Sequence, residues 1–325
     1  MASDPVWRLR GRATGVAAGP PRGIAALVSA NILLTGGSGQ IGTELRRIAP
    51  TDWSIIAPSS AELDIANPHA VWACVASQGW SAVVNAAAYT AVDRAQEEIA
   101  TAWRVNALGP AALAEATARA GVPLVHLSTD YVFDGRKSEA YVEDDPVCPL
   151  SVYGASKEGG EQAVRTANPR HVILRTAWIV SPHGANFAKT MLRLAAERPL
   201  VRVVDDQWGN PTSATDVAGA MVVILGRLIA DDAASGTYHF VNDGDATWCA
   251  LARAIFARLA GRTGTSPTVE AISTADYPTA ARRPANSRLS TTKLKREFGI
   301  VARPWRRAVD EVVDALMAEK LGVAH

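Results

Sequence analysis

A chain of 325 residues with 48% hydrophobic and 20% charged residues has a globular composition and length enough for more than one core. Its formal net charge of +1 offers no field to gather nucleic acid or an anionic membrane, and no apolar run is long enough to span a bilayer. Three widely spaced cysteines, Cys74, Cys148 and Cys249, show no metal-ligand pattern, and their odd number argues against a disulfide framework and for a reducing, cytoplasmic setting.

Residues 1–30 hold Arg8, Arg10, Arg12 and Arg22 among glycine, alanine and proline. The apolar patch at 24–28 is short and a strand follows at once, so the stretch reads as a disordered leader rather than a secretory signal. The folded part opens at Asn31. Ile32, Leu33 and Leu34 form a short apolar run that ends in a glycine turn and passes into a helical pattern through Leu45 and Ile48. A second strand is expected over 54–57, stopped by Pro58, and a helix over 67–76 with Asn67 as N-cap and Pro68 in its first turn. Further strands are expected over 82–85, 123–128 and 172–175, with a largely helical stretch over 97–120.

Strands alternating with helices predict an α/β fold: a Rossmann-type, doubly wound parallel sheet with helices on both faces. After Ser181 the rhythm loosens, with long loops expected over 201–212 and 261–290, while 236–240 looks like a strand returning to the main sheet. The expected organisation is a nucleotide-binding domain over 31–180 and 213–242. A smaller, discontinuous C-terminal substrate lobe takes 181–212 and 243–325.

Gly36, Gly39 and Gly42 lie between a strand and a helix, the context in which such spacing serves a dinucleotide. The first allows a sharp turn, the second a close approach of backbone N–H groups to a pyrophosphate, and the third tight packing of the helix on the strand. The place where many NAD-binding folds carry an acid is filled by Ala57, Pro58, Ser59 and Ser60. No carboxylate there would repel a 2′-phosphate, so NADPH is the expected cofactor, with NADH tolerated. Asp64 and Ile65 either approach the adenine or lead into the cap of the next helix. The small residues before Tyr89 and Thr90, ending in Ala88, suit a cofactor lying across the strand ends, and equally plain helix–sheet packing.

The segment YGASK at 153–157 is the most informative. At i and i+4 of a helix, Tyr153 and Lys157 share one face. A phenol titrates near ~10, and a neighbouring ammonium is expected to lower that value and make Tyr153 a competent general acid. Thr129, at the end of a strand of the same sheet, can bond a substrate carbonyl or the Tyr153 hydroxyl. Hydroxyl, phenol and ammonium together suit the reduction of a ketone beside a nicotinamide.

The stretches 31–42, 85–96, 128–135, 149–161, 175–180, 186–195, 206–212 and 277–289 resemble the extended short-chain dehydrogenase/reductases. Within these they are most similar to the branch that reduces the 4-keto group of dTDP-4-dehydro-L-rhamnose. The resemblance runs from Asn31 to the C-terminus; the leader has no counterpart. It implies a homodimer, a dTDP-sugar substrate, Tyr153 as proton donor, Thr129 tuning it and Lys157 anchoring the cofactor. It further implies that Gly39, Gln40, Ile41, Asp64, Ile65, Ala88, Tyr89 and Thr90 line the cofactor site and that Asp130 and Trp178 contact the sugar. Some members have another residue where Tyr89 stands. Magnesium at a dimer interface is part of the same expectation, with no ligands assigned.

Arg282 and Arg283 before Pro284 offer forked donors for a diphosphate, or a solvated loop. Trp178 can stack on a base, lie against a sugar or belong to the core. The alternatives in function are a non-catalytic NADP-binding regulatory subunit and a sugar-nucleotide epimerase or dehydratase. Tyr131 after Asp130, where a dehydratase pair would need glutamate, speaks against the last.

Overall fold

The computed structural model describes residues 29–320; of the expected leader, 1–28 lie outside the described residues, and Ala30 already belongs to the first strand. Apolar runs bounded by glycine, proline or asparagine become strands covered on both faces. β1 (Ala30–Thr35) leads into α1 (Gln40–Ile48), and β2 (Trp53–Ile56) into α2 (Pro68–Ala76). β3 (Ala82–Asn85) is followed by α3 (Ile99–Trp103), a π turn over Arg104–Leu108 and α4 (Gly109–Arg119). β4 (Leu124–Thr129) precedes α5 (Val152–Ala167); β5 (His171–Thr176) and the short β6 (Ile179–Val180) precede α6 (Phe187–Glu197). Next come β7 (Leu200–Val204), β8 (Trp208–Gly209), β9 (Thr212–Ser213), α7 (Ala214–Ile229) and β10 (Gly236–His239). β11 (Ala246–Thr247), α8 (Trp248–Thr263), β12 (Thr268–Ile272), α9 (Thr292–Phe298) and α10 (Trp305–Lys320) complete the described fold.

Six strands form one parallel sheet in the order β2-β1-β3-β4-β5-β10, with β10 returning to its edge as expected. Leu45 of α1 and Val217, Met221 and Ile224 of α7 pack on one face. Val71 of α2, Leu113 of α4 and Val164 of α5 pack on the other. Asn67 caps α2, its side chain accepting the N–H groups of His69 and Ala70. The strand order reverses between β1 and β3, so a crevice opens at their carboxyl ends, where open α/β sheets take ligands.

The stretches expected as long loops hold more order than that. β7 pairs with β12 in parallel over five residues, β8 with β11 antiparallel, and β6 with β9 in parallel. In β7, Leu200 and Arg202 are exposed while Val201 and Val203 are buried. That two-residue alternation is too brief to stand out in a sequence. A further core lies outside the sheet, built from Val203, Leu251, Phe256 and Val313 and running up to Phe133 and Trp178.

Candidate active site

Gly36 ends β1 with φ +74°, and a Cβ on it would lie 2.5 Å from the Ala86 carbonyl carbon and the Ala87 nitrogen, just beyond β3. A Cβ on Gly42 would lie 2.3 Å from the Gly36 oxygen. Only hydrogen fits at either position, so the turn closes tightly at the switch point of the sheet. Gly39 caps α1 with no side chain to satisfy the first-turn N–H groups, which leaves them for an anion in the crevice. This cradle fits a dinucleotide. The Gln40 carboxamide is engaged elsewhere, its Oε1 accepting from Asn186 Nδ2 at 2.9 Å, and Ile41 packs against the sheet core.

Asp64 is exposed and its carboxylate accepts the Ala66 N–H at 3.0 Å, a turn contact just before the α2 cap; Ile65 is buried. Ala88 and Tyr89 are half-buried and Thr90 exposed. Asn106 holds both backbone groups of Tyr89, accepting its N–H at 2.8 Å and donating to its carbonyl at 3.0 Å. The Tyr89 hydroxyl donates to Glu98 at 2.8 Å. Beyond β2, the Glu62 carboxylate accepts the Ser59 N–H at 2.7 Å, a nearby acid that inspection of the strand end alone misses.

α5 begins where Ser151 accepts the Gly154 N–H at 3.2 Å and the Gln96 side chain accepts the Val152 N–H at 2.7 Å. A Cβ on Gly154 would lie 2.1 Å from the Tyr131 oxygen, so the helix presses directly onto the loop after β4. One face of α5 brings Tyr153, Lys157 and Glu161 to β4. Tyr153 stands beside Thr129 and meets the Tyr131 ring edge-on, with centroids 5.8 Å apart. Lys157 is buried, and its ammonium donates to the Leu127 carbonyl at 2.6 Å. Glu161 accepts from Ser128 at 2.5 Å, from Arg175 at 2.8 and 2.7 Å and from Arg165 at 2.9 Å.

The electrostatics differ from the expectation in one respect. Burial pushes the Tyr153 phenol up to about 12; the Thr129 hydroxyl beside it pulls it down and the Asp130 charge raises it further. Lys157 does not acidify Tyr153 here because its ammonium is turned to the Leu127 carbonyl. Burial also lowers Lys157 to about 8, against the opposing pull of Glu161. Asp130 is buried, accepts from Thr129 Oγ1 at 2.9 Å, and keeps its Oδ2 without a hydrogen-bond partner. Burial raises its carboxyl to about 6, although Ser287 and Thr129 lower it.

On the opposite side, Arg283 donates to Asp93 at 2.7 Å and to the Ala281 carbonyl at 3.0 Å. Two of its five N–H donors are therefore engaged within its own chain. Arg282 is exposed, and both arginines line a cavity of about 500 Å³ with Asp206, Tyr277 and Thr279. Trp178 is nearly buried; its indole stacks on Trp248, with centroids 3.6 Å apart and planes 9° from parallel. Among the described residues no group of three or more His, Cys, Asp or Glu side chains is placed to hold a metal ion. Among the described residues no helix is long and apolar enough to cross a membrane.

Several residues now prominent had little or no signal in the sequence. Asn106 stood out only as a poor helix former within a helical stretch. Gln96, Glu161, Gly209 and Trp248 act through partners distant in the chain.

The chain matches known proteins over most of its length. The family model for the RmlD substrate binding domain matches residues 30–318. The chain is 45% identical to the dTDP-4-dehydrorhamnose reductase of Sinorhizobium fredii, over 89% of this chain and 98% of that protein. It is 39% identical to the Escherichia coli K12 reductase, over 88% and 98%. Among solved structures it is similar to the Clostridium acetobutylicum dTDP-4-dehydrorhamnose reductase, with a TM-score of 0.83, 36% identity, and 88% and 99% of the two chains covered. The Bacillus anthracis reductase in complex with NADP gives a TM-score of 0.81 at 34% identity, with 88% and 99% covered. The chain belongs to the RmlD family, the dTDP-4-dehydrorhamnose reductases.

Proposed function

We propose that this protein reduces the 4-keto group of dTDP-4-dehydro-L-rhamnose to give dTDP-L-rhamnose, with NADPH as the preferred reductant. The observation that carries the reading is the meeting of Tyr153, Thr129 and Lys157 at the carboxyl end of β4, beside the glycine crevice. When bound, the reduced nicotinamide supplies a hydride. The first-turn N–H groups of α1 would hold its pyrophosphate, with Ala88, Tyr89 and Thr90 along its flank.

Tyr153 has its proton in hand throughout the neutral range, as a group pushed up to about 12 must. As the carbonyl carbon is reduced, the O–H bond of Tyr153 breaks and the substrate oxygen takes the proton, leaving a phenolate that solvent reprotonates. Thr129 can donate to that phenolate by turning its single O–H away from Asp130. Lys157 sits one turn further along α5, where its ammonium can hold ribose hydroxyls. Asp130, with one oxygen unpartnered, can accept a sugar hydroxyl. Trp178 meets the sugar, and Arg282 stands nearer the nucleotide.

The NADPH preference rests on Ser59 and Ser60 and on Glu62 being turned back onto the Ser59 N–H. The same proposal gives 31–180 and 213–242 to the nucleotide-binding domain and 181–212 and 243–325 to the substrate lobe. A homodimer belongs to the same proposal. Interface magnesium would draw its ligands from two copies, and sedimentation with and without EDTA tests both points.

Purified protein mixed with NADPH and freshly made dTDP-4-dehydro-L-rhamnose should deplete reduced-cofactor absorbance and form dTDP-L-rhamnose. Cofactor binding without consumption would instead identify a non-catalytic regulatory subunit.

A further inference from the structure

Trp178 has φ +46°, a left-handed conformation that side chains disfavour; among the described non-glycine residues only Asp231 shares it. Its carbonyl accepts the Thr212 N–H at 3.1 Å. Around the ring, two further elements of the fold close in. A Cβ on Gly209 would lie 2.4 Å from Cε2, 2.6 Å from Nε1 and 2.7 Å from Cζ2 of the indole. Because the ring-fusion carbon is nearest, Gly209 lies over a face of the indole and not at its rim. Trp248 fills a face by parallel stacking, so Gly209 occupies the other. The pairing of β8 with β11 brings the two walls together: Gly209 of β8 lies opposite Ala246 of β11, and Trp248 opens α8 two residues further on. Trp248 is itself held, its Nε1–H donating to Gln207 at 3.2 Å and its ring packed on Phe187 with centroids 4.8 Å apart.

We propose that Gly209 and Trp248 are positioning residues for sugar recognition. They clamp both faces of Trp178, so the indole offers the sugar nucleotide only its rim, including the Nε1–H, and cannot stack on the pyrimidine. This rests on the reading that Trp178 meets the sugar. A clamped rim donor selects for a hydroxyl or carbonyl oxygen at one place on the pyranose ring.

The test measures kcat, KM for the keto-sugar nucleotide and NADPH affinity in Trp178→Ala, Gly209→Ala, Trp248→Ala, Trp248→Phe and the two double variants containing Trp178→Ala. Gly209→Ala and Trp248→Ala should each raise KM about ten-fold, the order of loss when a positioned contact is loosened, with NADPH affinity unchanged. Trp248→Phe should recover most of the loss. In the Trp178→Ala background neither change should add anything, because the smaller side chain leaves nothing to clamp. Full additivity in the double variants would overturn the inference even with Trp178 confirmed as a contact. An unchanged KM in Trp178→Ala would overturn the underlying reading and the clamp with it. Should Gly209→Ala not fold, the Trp248→Ala pair makes the same comparison.

Discussion

On the β4–α5 side of the cleft, a buried polar group is left with capacity to spare: Asp130 Oδ2 has no hydrogen-bond partner, and Tyr153 stands close by, beside Thr129. Across the cleft, Arg282 and Tyr277 of the 277–289 segment are exposed, but its more buried polar side chains are engaged within the protein. Arg283 holds Asp93, Asn286 donates to the Lys137 and Glu139 carbonyls at 2.7 and 2.8 Å, and Arg288 reaches Asp245 at 3.0 Å. The Leu289 N–H is taken by Asn210 and the Trp208 N–H by the Ala285 carbonyl. Both segments read as site motifs in the sequence. Their hydrogen-bond inventories differ: nearly all buried polar groups find partners, so uncommitted ones mark where chemistry is expected. On the proposed reading the first segment supplies reactive groups, and the second fixes the shape around them.

The sharpest way to break this contrast is Tyr153→Phe. It should lower kcat by about 10²- to 10⁴-fold, the span attributed to a positioned proton donor, with NADPH affinity and melting temperature unchanged. Wild-type turnover in that variant would remove the basis for assigning the reactive side. Lys157→Met should follow closely, weakening both turnover and NADPH binding in a fluorescence titration. Asn286→Ala tests the other side. It leaves two carbonyls without their donor and should cost about 1–3 kcal/mol of stability in chemical denaturation. The folded enzyme should keep its kcat.

The smallest effect is a pH dependence at Asp130. Its folded carboxyl is raised from 3.8 to about 6, so the stability it contributes is present below 3.8 and lost as pH rises through about 6. Asp130→Asn removes that dependence. Its melting temperature relative to wild type should therefore rise as pH is carried upward from 3.8 to about 6 and level off above that. A flat difference would mean the carboxyl is not destabilised by burial.

The sheet, the glycine turn and the α5 pair were legible because each is a local pattern: an apolar run, three glycines at fixed spacing, two side chains four residues apart. The Asn67 cap was legible for the same reason. What escaped was long-range. Val152 is bonded to Gln96 and Ser156 to Asn106 across 56 and 50 residues, and no spacing rule connects them. The orientation of Lys157 depends on which carbonyl of β4 lies within reach. Arg283 looked free because its partner, Asp93, lies 190 positions earlier. The indole sandwich needs three segments to meet, and Gly209 appeared as an ordinary glycine.

The π turn at Arg104–Leu108 carries Asn106, which bonds Tyr89 on one side and donates to Ser156 at 3.0 Å on the other; Ser156 in turn donates to the Tyr153 carbonyl at 2.9 Å. A π turn is one residue longer than the α turn it replaces. Deleting Arg104 or Val105 would let the segment relax into an ordinary helix and swing the Asn106 carboxamide by roughly 100° around the axis of the preceding helix. The strand-end loop and the tyrosine helix would then lose their shared tether although no residue of either had changed. The register of this one stretch is therefore a constraint on length, one that composition cannot restore.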